Sequence, residues 1–132
     1  MRTPNYWPFA ADLYARALFF ARGYARLQQE ATDLLEQSPA MDGQPRGTQT
    51  SDPTFAAAVR RARVRREIFV LDTALNCIEP EYREIVKQNL YYGVPLNDLD
   101  AFSYASQATW TRKRRAVLVD IVLRNQWAEV SE

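Results

Sequence analysis

Apolar residues in the middle of the chain recur at the period of a helix. Val64, Ile68, Leu71, Leu75 and Ile78 follow one another at steps of four, three, four and three. This spacing predicts one narrow seam on a helix that packs along another helix. The start of that helix is marked by Ser51-Asp52-Pro53-Thr54, with Asp52 as N-cap and Pro53 at the first helical position. A carboxylate there accepts otherwise unpaired N–H groups, and proline has no N–H to leave unpaired. Upstream, Leu13, Ala17, Phe20, Tyr24, Leu27, Ala31 and Leu34 form a second seam. They predict one long helix from Pro8 to Gln37, with Asn5 as the best upstream cap. Gly23 falls inside it, at a cost of about 1 kcal/mol relative to alanine. Two such seams joined by a linker predict an antiparallel hairpin, although an intermolecular coiled coil would use the same residues.

Beyond Ile78 the pattern shortens. Glu79-Pro80 breaks the helix and permits a new one, in which Tyr82, Ile85, Val86, Asn89 and Leu90 share a face. Gly93 suits a left-handed helix end, and Pro95 prevents continuation. Leu96 to Phe102 predicts a short helical turn with Leu96, Leu99 and Phe102 inward. Ser103 to Ala105 then turns the chain. Ser106 is the predicted cap of a last helix reaching about Trp127, with Val117, Leu118, Ile121 and Val122 facing the core. No stretch alternates with period two, so the predicted fold is all-α: a long helical hairpin followed by a three-helix unit. The predicted organisation is an aromatic-rich helix (1–37), a linker rich in proline, glycine and polar residues (38–52), and a basic helix with the three-helix unit (53–132), together one compact domain.

Composition narrows the function classes. At 132 residues the chain is long enough to bury a core, and 47% hydrophobic and 25% charged residues are ordinary for a globular protein. The net charge of +1 hides segregation. Arginines cluster at Arg60, Arg61, Arg63, Arg65 and Arg66, and a second basic block runs from Arg112 to Arg115, while Glu79 to Asp100 leans acidic. No apolar run is long enough to span a bilayer, and Asp12 and Arg16 interrupt any leader-like stretch, which predicts a cytoplasmic protein. With Cys77 as the one cysteine, no internal disulfide forms, and its place beside Ile78 predicts a small core residue. The chain has no histidine and no glycine-rich phosphate loop, so neither an enzyme nor a metal or cofactor site is expected.

Three successive helices, the middle one short and the last one basic, are the ingredients of a helix-turn-helix. Ser106 would cap the final helix where N–H groups and the helix dipole favour a phosphate. Gln107, Thr111 and Arg112 would face outward, within reach of base edges. The residues put forward for DNA contact are therefore Ser106, Gln107, Thr109, Thr111, Arg112, Lys113 and Arg115. Arg60, Arg61 and Arg63 are put forward for phosphates or RNA polymerase.

Four features together resemble phage transcriptional regulators of the RinA/ArpU type, whose carboxyl half is similar to region 4 of sigma factors. They are Gly47 followed by Ser51-Asp52-Pro53-Thr54 with Ala57 and Ala58; Pro80-Glu81-Tyr82-Arg83; Tyr91 or Tyr92 ahead of Pro95; and Ser106 to Thr109 leading into Arg112 to Arg115. They span roughly Ser38 to Ile121. The resemblance implies sequence-specific binding to double-stranded DNA and activation or antitermination of late phage genes. The chain departs from that pattern in three places. Its turn, Ser103-Tyr104-Ala105, lacks a glycine, Leu99-Asp100 replaces an Ile-Ala pair, and Trp110 stands where a small aliphatic residue normally packs. The alternative reading is a protein-binding phage factor that uses a degenerate helix-turn-helix to inhibit or redirect a host complex. The aromatic surplus of the first helix also suits a homodimer.

Overall fold

The computed structural model describes residues 3–36 and 52–128. Residues 38–51 of the predicted linker lie outside them, while Asp52, expected as the last linker residue and as the N-cap, is the first residue of a helix. Five α-helices form the described chain: α1 (Ala11–Arg22), α2 (Tyr24–Glu36), α3 (Asp52–Ala74), α4 (Pro80–Tyr92) and α5 (Gln107–Arg124). No strand occurs among the described residues, and the all-α class holds.

The long helix expected over Pro8 to Gln37 is two helices. It begins only at Ala11, with Ala10 rather than Asn5 in the cap position, and it breaks at Gly23. There φ is −82° and ψ is 2°, outside the helical well, and the Gly23 N–H turns back to the Phe20 carbonyl. The break lets the two halves of one apolar seam bury themselves against different partners. α2 runs antiparallel along α3, with Leu27, Ala31 and Leu34 meeting the Val64–Ile68 side of the seam, and Arg63 bridging to Glu30 at 2.9 Å. α1 swings onto α5 and α4 instead, where Phe20 meets Trp127 edge-on at 5.5 Å. The hairpin is thus built by α2 and α3 alone.

The seam of α3 is buried as its spacing predicts, with Val64, Leu71, Leu75 and Ile78 enclosed and Ile68 half-buried. The helix itself ends at Ala74 and tightens into a 3-10 turn over Leu75–Cys77. Cys77 lies at the surface, against the expectation of a core residue. Burial of its surroundings pushes the thiol up to about 11, so it is protonated at neutral pH.

Pro80 sits at the first turn of α4, and Gly93 ends that helix in the left-handed region at φ 75°. Arg22 closes over this end, its Nε donating to the Leu90 carbonyl at 3.3 Å. The short helix expected over Leu96 to Phe102 is instead two 3-10 turns, Leu96–Leu99 and Ala101–Ser103, parted by left-handed Asp100 at φ 56°. That break rotates Phe102 outward, leaving it 45% exposed, and turns Ala101 into the core. α5 stops at Arg124 rather than Trp127. The chain doubles back through Gln126 at φ 60°, and the Trp127 N–H bonds to the Val122 carbonyl. All five helices contribute to one continuous core.

Two outcomes follow from this packing. A Cβ at Gly93 would combine a left-handed backbone with a 2.8 Å approach to the Arg22 guanidinium, whereas at Gly23 it would meet the end of the flexible Arg26 side chain at 3.1 Å and the Phe20 carbonyl at an ordinary 3.4 Å. In urea titrations Gly93→Ala should lose about 1–2 kcal/mol of stability, and Gly23→Ala should lose less. The second outcome concerns alkali. Burial, reinforced by Asp72, raises the hydroxyl pKa of Tyr24 and Tyr91 above the ordinary 10.0. Once these hydroxyls can ionise in the unfolded chain, that chain binds fewer protons than the folded one. Stability that is complete below about pH 10 is therefore lost as pH rises further. The urea midpoint should fall between about pH 9 and about pH 11, and Tyr24→Phe should flatten part of that fall.

Candidate nucleic-acid interface

The amino-terminal half of α5 is held by a tryptophan. Trp110 is completely buried, and its indole N–H donates to the Ala101 carbonyl at 2.9 Å. Its ring meets Tyr82 edge-on at 5.4 Å and lies 6.3 Å from Tyr104. Where a glycine turn and a small aliphatic residue were absent from the sequence, this aromatic cluster fixes the turn to α4 and α5. The core residues Val117, Leu118, Ile121 and Val122 hold the inner face further along.

Ser106 caps α5 as predicted, its hydroxyl accepting the Thr109 N–H at 3.2 Å. Thr109 is drawn into the same cap, 3.1 Å from the Ser106 hydroxyl, and also accepts from Arg112 at 3.4 Å. Ser106 and Thr109 therefore shape the helix end more than they offer free groups. Lys113 is turned away, its ammonium bonded to Glu79 at 2.7 Å and lying over the Tyr82 ring at 4.7 Å. That hydrogen bond holds the Glu79 carboxyl below its usual range. Arg114 is likewise spent, donating to the Asn89 amide oxygen at 2.6 Å.

Gln107, Thr111 and Arg115 follow at i, i+4 and i+8 on one outward face, with Arg112 beside Thr111 at its edge. They line a shallow cleft of roughly 500 Å³, closed on its far side by Asn5 and Tyr6. No lining residue is acidic. The sequence pattern offered the aromatic surplus of this region for a homodimer and did not place it beside α5, where it forms this second wall. Arg115 ties the arm down, donating to the Asn5 carbonyl at 2.8 Å with its guanidinium 5.7 Å from the Tyr6 ring. Trp7 anchors the other side by donating to the Ala10 carbonyl and packing on Phe9 and Tyr14. Tyr6 itself is 87% exposed and sits at φ 66°, a left-handed conformation that costs energy for a side chain of its size. The only sequence signal was an aromatic arm richer than one helical seam could bury.

The arginines of α3 are elsewhere. α3 and α5 run antiparallel, so Glu79 lies by Lys113 while Arg63 and Arg66 share a groove with Asn125 and Trp127 at the other end of α5. Arg61 lines a separate apolar hollow with Leu34, Leu35 and Ile68, and Arg60 is exposed. The structure brings the α5 residues together and leaves Arg60, Arg61 and Arg63 apart from them.

Because Trp110 ties the turn to the core through both its ring and its indole N–H, Trp110→Ala should lower the unfolding free energy by about 3–5 kcal/mol. The same variant should weaken near-ultraviolet dichroism from the aromatic cluster, a signal that Lys113→Ala should leave nearly intact. No protein-family model, curated protein or solved structure matches the chain, so its functional reading rests on these residues and their geometry.

Proposed function

We propose that the chain is a DNA-binding regulator of the phage late-gene type, an activator or antiterminator, that reads duplex DNA with the first turns of α5. The observation that carries this reading is the acid-free cleft beside a capped helix start. There Gln107, Thr111 and Arg112 face outward and Arg115 holds the arm in place. A guanidinium and an amide five residues apart at the edge of one cleft suit the acceptor and donor edges of bases in a major groove, and the helix start suits a phosphate. The exposed Tyr6 adds a ring and hydroxyl where a sugar-phosphate strand would run. The exposed row Phe55, Val59 and Phe69 on α3 supports a homodimer, the form in which such readers span two half-sites. RNA polymerase or another host protein would be the further partner of such a regulator.

One observation favours the protein-binding alternative. Phe102 and Tyr104 are 45% and 56% exposed on the turn beside α5, where apolar rings serve a protein surface better than a phosphate backbone. Binding to duplex DNA at several salt concentrations separates the two readings. A DNA reader loses affinity steeply as salt rises, through counterion release. Arg112→Ala should weaken binding to the preferred duplex by about 1–3 kcal/mol and relax preference at one position. Lys113→Ala, with its ammonium already on Glu79, should change it far less. No binding to any duplex at low salt would give the protein-binding reading first place, and unchanged specific binding in folded Arg112→Ala would show that the start of α5 is not the reader.

A further inference from the structure

At the far end of α5, about 27 Å from its start by helical rise, the molecule carries a second basic surface. A groove of roughly 420 Å³ opens between the α1–α2 elbow, the middle of α3 and the chain after α5. Its lining combines Arg16, Arg26, Arg63 and Arg66 with Phe19 and Trp127. Phe19 is 76% exposed although it stands on a helix whose other large apolar side chains are at least partly buried. Arg63 is satisfied by Glu30 at 2.9 Å and Glu67 at 3.2 Å. Arg16 is braced differently, its guanidinium 4.0 Å from the centre of the Trp127 ring. Among the described residues no carboxylate lies within ion-pair distance of Arg16, Arg26 or Arg66. The Gly23 break shapes the wall, since the missing side chain leaves room for the Arg26 guanidinium beside the elbow.

We propose that this groove is a docking site for an acidic segment of another protein, with carboxylates on Arg26, Arg66 and Arg16 and an apolar side chain against Phe19. Charge complementarity selects that occupant. Three arginines without carboxylate partners among the described residues line one concavity, and each guanidinium is a planar fork that matches a carboxylate. Arginine and aromatic rings in a shared pocket are the groups that carry most of the energy of protein interfaces. Glu67, which lies in the same lining, favours a peptide over a nucleic-acid strand. A peptide can set a backbone N–H on it and space its carboxylates and apolar side chains around it, whereas a strand carries a phosphate at every nucleotide. The site is separate from the Gln107–Arg112 cleft, so it stands whether or not that cleft reads DNA.

The test uses the full chain and a fluorescein-labelled dodecapeptide of glutamate and aspartate interrupted by leucine and phenylalanine, followed by anisotropy. The comparison peptide carries glutamine and asparagine in place of the acids. The acidic peptide should bind, weaken as salt rises, and bind about tenfold or more better than its amide counterpart. The double change Arg26→Glu with Arg66→Glu should abolish that preference, while Arg112→Glu should preserve it. Phe19→Ser should lower affinity and leave the salt dependence unchanged. Each variant is first shown to be folded by its thermal transition, and because these side chains lie on the surface, folding should survive. The proposal is overturned if the acidic peptide does not bind at low salt, or binds the Arg26→Glu, Arg66→Glu protein equally well. It is also overturned if single-stranded oligonucleotide displaces the peptide through those same two arginines.

Discussion

Tyr24 is the point on which three helices turn. It is the first residue of α2, directly after the Gly23 break, and its ring is buried against Tyr91 and Tyr92 of α4 at 5.2 and 5.9 Å. Its hydroxyl donates to Asp72 of α3 at 2.6 Å and accepts from Gln28 at 3.0 Å. Tyr91 completes the knot by donating to the Leu71 carbonyl at 2.6 Å, near the end of α3. Two large rings thus enter the core with every buried polar atom of their side chains paired, so their area contributes without an unsatisfied hydroxyl.

The positions of both basic surfaces follow from that junction. With α2 committed to α3, α1 has only the α4–α5 side left to cover, and the arm ahead of it arrives beside the start of α5. The antiparallel run of α3 against α5 then carries the arginines of α3 away from that start. A sequence that looks like one broadly cationic helix-turn-helix is, in space, two polar faces at opposite ends of α5, each with its own aromatic component.

Within the basic block of α5 the electrostatics are divided residue by residue. Lys113 and Arg114 are consumed by Glu79 and Asn89 and stabilise the seat of the helix on α4. Arg112 and Arg115 keep to the side where no acid intrudes. Trp110 makes this division possible, because a large buried ring sets the rotation of α5 and its indole N–H ties that rotation to the Ala101 carbonyl. A small aliphatic residue at that position would leave both rotation and turn less firmly specified.

Much of this was legible in residue order alone. The all-α class, the α3 seam, the helix stop at Gly93, the Ser106 cap and the inner face of α5 all come from local rules. Period, capping chemistry and left-handed glycine operate within a turn or two of chain and need no partner to be read. The break at Gly23 was not legible, because an isolated glycine in a helical pattern costs only about 1 kcal/mol and the burial of α1 on α5 outweighs it. The same holds for the exposure of Cys77 and Phe102, which 3-10 turns rotated away from the faces a continuous helix would have given them. Which arginines stand free and which are paired is likewise a matter of partners distant in sequence, such as Glu79 for Lys113 or Glu30 for Arg63. Local order chose the helices, and contacts between residues far apart in the chain chose which of their charges face the solvent.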